Sequence, residues 1–279
     1  MVFAENGLPY DNGIERHDKG TDGKSINRWR GNKAQFLNTV KRHLSVLASA
    51  AKTVAELAPE RVEFWIGSGY SSVQTVGLKP CSASQMRESV ILLKRLLSGS
   101  EVVFGENVSR LRHGDDIMPP IYLAATGPKT IEVAGEVADG VVLWTGLHPD
   151  AISLARQHLH KGAIRAGRDP DDIEIIIPAT TVITNDQQEA REKARPLCVQ
   201  RLMEKPHSKW LRAIGINSGE LKMPKELWEL YPDVSHAEDW EKAKMLCSFL
   251  PDDILSQVCD AIGLIGTPDY CVNRIKDAQ

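Results

Sequence analysis

The sequence predicts an α/β fold built on a parallel sheet, and three observations carry that prediction. Short apolar stretches at 62–66, 121–125, 141–145 and 173–177 alternate with amphipathic helical segments. Several of these stretches are apolar at nearly every position, as strands buried on both faces are. Most run straight into Gly, Ser, Thr or Pro residues of the kind that open a helix.

Composition narrows the functional classes. The chain has 279 residues, enough to bury a substantial core, and 34 Lys+Arg against 37 Asp+Glu leave a net charge of -3. A nucleic-acid partner is not expected, because such domains are usually strongly basic. The longest apolar stretches fall far short of the roughly 20 residues that span a bilayer, so no membrane is expected either. The opening residues, MVFAEN, show no basic or apolar leader pattern. Five scattered cysteines without a Cys-x-x-Cys suit inert thiols in a reducing compartment, with the cytoplasm as the expected location.

The elements follow in order. Val2, Phe3 and Ala4 read as the end of a strand, with Glu5 and Asn6 at its rim. Residues 7–34 are polar, without a sustained period, and read as a long loop. From Leu37 to Leu57 apolar residues recur at helical spacing, among them Val40, Leu44, Leu47, Ala51 and Val54. The strand at 62–66 stops at Gly67-Ser68-Gly69. Ser82 and Gln85 form a capping-box pattern ahead of a stripe of Met86, Val90, Leu93, Leu96 and Leu97.

The strand at 121–125 leads through Thr126-Gly127-Pro128 into a helix ending near Gly140. A strand at 141–145, a helix at 150–166 closed by Gly167, and a strand at 173–177 continuing toward 183 come next. Residues 186–260 read as helical, broken near Pro206 and between Gly215 and Pro224. Trp210, Trp228 and Trp240 read as core or interface anchors. The expected organisation is one domain over 1–279 with a helical elaboration at 186–260.

Ligands of parallel α/β folds gather where strands end. Three such loops stand out: 67–70, 126–130 and 145–148. The second is the most informative. Gly127 permits close backbone approach, and Pro128 suits the first helical position. The amides of Lys129 and Thr130 then point out of a helix start whose dipole favours an anion. Thr126 and Lys129 complete a cradle for phosphate, although a capped helix without ligand fits the same residues. The spacing is not that of a P-loop. Ser68 either approaches a bound ring or only caps its turn. Eight histidines show no metal-ligand spacing, and His148 is the one on a strand-to-helix loop. No nucleophile elbow, catalytic triad or activated cysteine is evident, so no catalytic acid or base is named.

Residues 120–130, PIYLAATGPKT, with AGEVADG at 134–140, resemble the luciferase-like flavin- and F420-dependent oxidoreductases. The branch resembled is that of the methylenetetrahydromethanopterin reductase-like proteins. Arg42-His43, FWIGSG at 64–69, GLKP at 77–80 and Gly266-Thr267-Pro268 agree, so the resemblance covers roughly residues 40–279. It implies a TIM (β/α)8 barrel using F420 or FMN to move hydride to or from a small-molecule substrate, in a homodimer. It also implies that Ala125, Thr126, Gly127, Lys129 and Thr130 hold the cofactor phosphate. Ser68 and Gly69 would lie beside the ring or ribityl chain, and Trp144 and Thr145 would face the cofactor tail or substrate. Where F420-using relatives often carry Asp-His, this chain reads Glu5-Asn6, and Tyr70 stands where some carry Glu. Aligned this way, the barrel lacks its first and last strands. An FMN-dependent monooxygenase and a non-catalytic cofactor binder remain the rival expectations.

Overall fold

A computed structural model describes residues 35–38, 42–69, 73, 76–112, 117–217, 219 and 221–277. The expectations for Val2–Ala4, Glu5, Asn6, the loop at 7–34 and Tyr70 fall outside the described residues. Among the described residues the first elements are β1 (Gln35–Asn38), α1 (Leu44–Leu57), β2 (Phe64–Gly67) and α2 (Ala83–Leu97). A hairpin of β3 (Val102–Phe104) and β4 (Asn107–Ser109) precedes β5 (Ile121–Ala125), α3 (Pro128–Val137), β6 (Gly140–Leu143) and α4 (Pro149–Arg165). Then come β7 (Glu174–Ile176), β8 (Thr180–Ile183), α5 (Gln187–Met203), α6 (Lys205–Ala213), α7 (Trp240–Leu246), α8 (Asp252–Ile262), β9 (Gly263–Gly266) and α9 (Pro268–Asp277). No helix among the described residues is long and apolar enough to cross a membrane.

A parallel five-stranded sheet in the order β1-β2-β5-β6-β7 carries the architecture. Alternation along its strands sends side chains to two faces. Phe64, Ile66, Ile121, Leu123, Ala125, Val141 and Leu143 face the helices and pack in one core with Leu47, Met86, Leu93, Ile131 and Leu159. Trp65, Tyr122, Val142 and Ile176 point the other way into a smaller cluster, with Ala124 and Trp144 against it. Both faces are therefore apolar, which is why these stretches show no polar alternation. On that second face Gly140 admits the Tyr122 ring, since a Cβ there would stand 2.1 Å from it.

The helix layer closes tightly for the same reason. A Cβ on Gly135 would fall 2.2 Å from the Leu159 carbonyl oxygen, so α3 and α4 touch backbone to backbone. Around that contact Glu132 binds His158 at 3.1 Å and Lys161 at 3.0 Å, and Glu136 binds Arg87 at 2.6 Å and also Arg165. Hydrogen bonds from Lys161, His158 and Arg165 overcome the upward push of burial and hold the Glu132 carboxyl below its usual range.

Two sequence expectations need correction, and one element was not anticipated. Leu37 belongs to a strand, β1, and the helix begins at Leu44, capped by the His43 ring nitrogen, which accepts from the Ser45 amide. Residues 180–183 do not extend the fourth strand. They form a separate strand, β8, that pairs in parallel with β9, which sequence periodicity did not reveal. The hairpin β3–β4 was likewise not expected. Of the tryptophans expected as core or interface anchors, Trp210 is buried in the core and Trp228 is 68% exposed.

Helices α5–α8 and the 3-10 turns between them build a second core from Ala190, Ala194, Cys198, Leu202, Leu227, Leu250, Leu255 and Val258. This layer is joined to the first sheet at the exit of β6. Gly146 adopts a left-handed φ of +85°, and the Leu147 amide donates to the Ala261 carbonyl at 2.7 Å.

Candidate functional site

The site residues expected from the sequence lie at the carboxyl ends of the adjacent strands β2, β5 and β6 and in the turns and helix start that follow them. Parallel pairing sets Ala125 opposite Leu143, so Thr126 and Trp144 emerge side by side, with Ser68 and Gly69 on the next strand over. Ser68 follows β2, and its carbonyl accepts from the Cys81 amide at 3.1 Å. Gly69 has φ +80°, a left-handed conformation that glycine adopts without strain.

The start of α3 carries the cap and proline expected from the sequence. Gly127 is the N-cap, extended at φ −84° and ψ 149°, and provides no side-chain cap. Pro128 occupies the first turn. The first intrahelical bond runs from the Ile131 amide to the Gly127 carbonyl at 3.0 Å, so the Lys129 and Thr130 amides precede the helical ladder. A Cβ on Gly127 would meet nothing within 4 Å, so the N-cap itself is open to approach. Lys129 is exposed, Thr126 and Thr130 are half-buried, and Ala125 is buried beneath them.

Beside the cradle, the end of β6 opens into a narrow cleft lined by Trp144, Thr145, Thr180, Arg201, His207 and Leu211. Thr145 is 6% exposed, and its Oγ1 is buried without a hydrogen-bond partner. An orphaned buried hydroxyl costs about 1–3 kcal/mol unless a ligand supplies the missing bond. The cradle and this hydroxyl fit a bound group that carries a phosphate and further polar atoms.

Arg201, Glu204 and His207 were not anticipated as site residues. The Arg201 guanidinium lies 5.3 Å from the centroid of the Trp144 ring. His207 Nε2 is 3.0 Å from Glu204 Oε2 and 3.0 Å from Arg201 Nη1, and Gln200 donates to Glu204 Oε1 at 2.7 Å. Burial pushes the His207 imidazole below its ordinary 6.5, and the Arg201 charge adds to this against the opposing pull of Glu204. Burial would raise the Glu204 carboxyl, but hydrogen bonds from His207 and Gln200 and the Arg201 charge hold it low. The result is an imidazole held between a carboxylate and a guanidinium at the cleft wall. The readable signal was their spacing, since 201, 204 and 207 recur every three residues across the α5–α6 junction. His148, by contrast, spends its Nδ1 on the Asp150 amide at 3.3 Å and caps α4.

Comparison with known proteins places this geometry. The family model described as luciferase-like monooxygenase matches residues 36–279. The 5,10-methylenetetrahydromethanopterin reductase of Methanolobus tindarius is 26% identical over 252 residues, covering 86% of this chain and 71% of that protein. An F420-dependent glucose-6-phosphate dehydrogenase of Nakamurella multipartita is 28% identical over 173 residues, 56% of this chain and 50% of that one. Among solved structures, the coenzyme F420 dependent tetrahydromethanopterin reductase from Methanopyrus kandleri superposes with a TM-score of 0.67 at 21% identity, covering 87% and 72% of the two chains.

The fold is thus the parallel α/β fold of F420-dependent luciferase-like enzymes, with its candidate site at the strand ends. The chain belongs to the luciferase-like monooxygenase family, a class of enzymes.

Proposed function

We propose that this protein is an oxidoreductase that moves hydride between F420, or reduced FMN, and a small organic substrate. The single observation that carries the reading is the uncapped start of α3 next to the orphaned Thr145 hydroxyl. F420 is favoured over FMN because the methylenetetrahydromethanopterin reductases and F420-dependent dehydrogenases are the relatives matched in sequence.

In this reading Thr126, Gly127, Lys129 and Thr130 hold the cofactor phosphate over buried Ala125. Two amides and one ammonium converge on that charge, and hydrogen bonds to charged groups are worth about 1.5–3 kcal/mol each. Ser68 and Gly69 present backbone to the ring or its side chain. Thr145 offers its hydroxyl from the floor of the neighbouring cleft. When bound, the cofactor supplies the two-electron chemistry, and the protein contributes orientation and exclusion of water. The sheet belongs in this reading to a TIM-type barrel, and the working form is a cytoplasmic homodimer.

Titration of the ligand-free protein with F420 and with FMN, followed by absorbance and fluorescence, tests the proposal. Saturable binding of F420 and its substrate-dependent bleaching or recovery are expected. Binding of neither cofactor overturns the proposal. Binding of FMN alone, with oxygen-dependent turnover, favours the FMN-dependent monooxygenase reading suggested by the family's description. Cofactor binding without turnover on any substrate would leave a non-catalytic member of the family.

A further inference from the structure

We infer that Trp210, on the helical elaboration, is the positioning residue of the anion cradle, so that α6 is part of the cofactor site. The inference rests on the function proposed above and extends it to a residue of α6.

Trp210 lies on α6, yet it packs in the core of the five-stranded sheet and its helices, 3% exposed. Its Nε1–H donates to the Thr126 carbonyl at 2.6 Å. An indole N–H is a donor only, so this bond has one polarity and one geometry. The ring is also fixed from a second side. His158 of α4 meets it edge-on, with centroids 6.4 Å apart at 79°, and His158 is itself held 3.1 Å from Glu132 of α3.

The consequence follows from the position of the acceptor. The Thr126 carbonyl belongs to the peptide that joins Thr126 to Gly127, the N-cap of α3. Fixing that carbonyl fixes the plane of the peptide and hence the direction in which the helix start faces. Gly127 has no side chain to pack and no side-chain cap, so nothing of its own holds this orientation. Without the indole N–H, the half-buried carbonyl would rotate to find water and carry the Gly127 conformation with it. One turn earlier on the same helix, His207 hydrogen-bonds the backbone of Trp144, at the exit of β6. Helix α6 therefore clasps the exits of both β5 and β6.

Two substitutions test the inference. Trp210→Phe removes the N–H and part of the ring. Replacement of Trp210 by 3-benzothienylalanine, introduced as a non-natural residue, removes the N–H while keeping the bicyclic shape. In the ligand-free protein, hydrogen exchange of the Ile131 amide, which closes the first turn of α3 on the Gly127 carbonyl, should quicken at least tenfold in both variants, and the benzothienyl variant should melt close to wild type. F420 affinity, or FMN affinity if that is the cofactor bound, should fall about tenfold in both. Unchanged exchange and unchanged affinity in the benzothienyl variant would overturn the inference and leave Trp210 as a packing anchor. If wild type binds neither cofactor, the function proposed above fails, and the exchange comparison still decides whether Trp210 sets the loop.

Discussion

His207 Nε2 sits 3.0 Å from Glu204 Oε2 at the wall of the cleft, with both groups depressed in pKa for different reasons. For His207 the folded value lies below the ordinary 6.5, so the unfolded chain takes up its proton first as the pH falls. Its contribution to stability is fully present above pH 6.5 and is lost as the pH drops through the folded value. A proton NMR titration of the His207 ring should give a midpoint below 6.5. A midpoint at or above that value would contradict the burial-driven downward shift.

Thr145→Val tests the orphaned hydroxyl. The exchange removes an unsatisfied buried oxygen while keeping the branched shape, so the ligand-free protein should gain about 1 kcal/mol and melt roughly 2 °C higher. The same change should weaken cofactor or substrate binding about tenfold, because in the proposed site the ligand supplies the hydroxyl's partner. Calorimetry on the ligand-free protein and a binding titration separate the two effects. A loss of stability would mean that Thr145 Oγ1 already has a partner.

Gly162 faces Glu132 so closely that a Cβ would stand 1.9 Å from the Glu132 carbonyl oxygen. Gly162→Ala should force α3 and α4 apart at a cost of about 1–3 kcal/mol, despite the better helix propensity of alanine. Thermal melting should show a drop of several degrees. An increase would contradict the backbone contact between these helices. Because α3 carries the cradle, cofactor affinity should fall along with stability.

What the sequence discloses and what it hides divide by the range of the interaction. The strand Ile121–Ala125, the capping box of Ser82 with Gln85, and the glycine at 167 were all legible, because each is set by residues within a few positions. The helix start at Gly127 and Pro128 was legible for the same reason, since its signals are consecutive. Strand β9 was not, because Gly263 and Gly266 carry no β signal and earn their conformation from pairing with Thr180 and Ile183. Strand β1 escaped because Leu37 fits the helical period that begins at Leu44. Trp210 was missed, and the 201–204–207 spacing passed over, because their partners Thr126 and Trp144 lie far away in sequence and are brought close only by packing.

The central claim is that the amides at the start of α3 hold the phosphate of the cofactor. Amide NMR of isotopically labelled protein during an F420 titration, repeated with FMN, reads those amides directly. The account predicts that the Lys129 and Thr130 amide resonances move downfield and are among the largest shifts, and that Lys129→Ala weakens binding without moving the melting temperature by more than about 2 °C. Cofactor binding that leaves the Lys129 and Thr130 amides unshifted would contradict it.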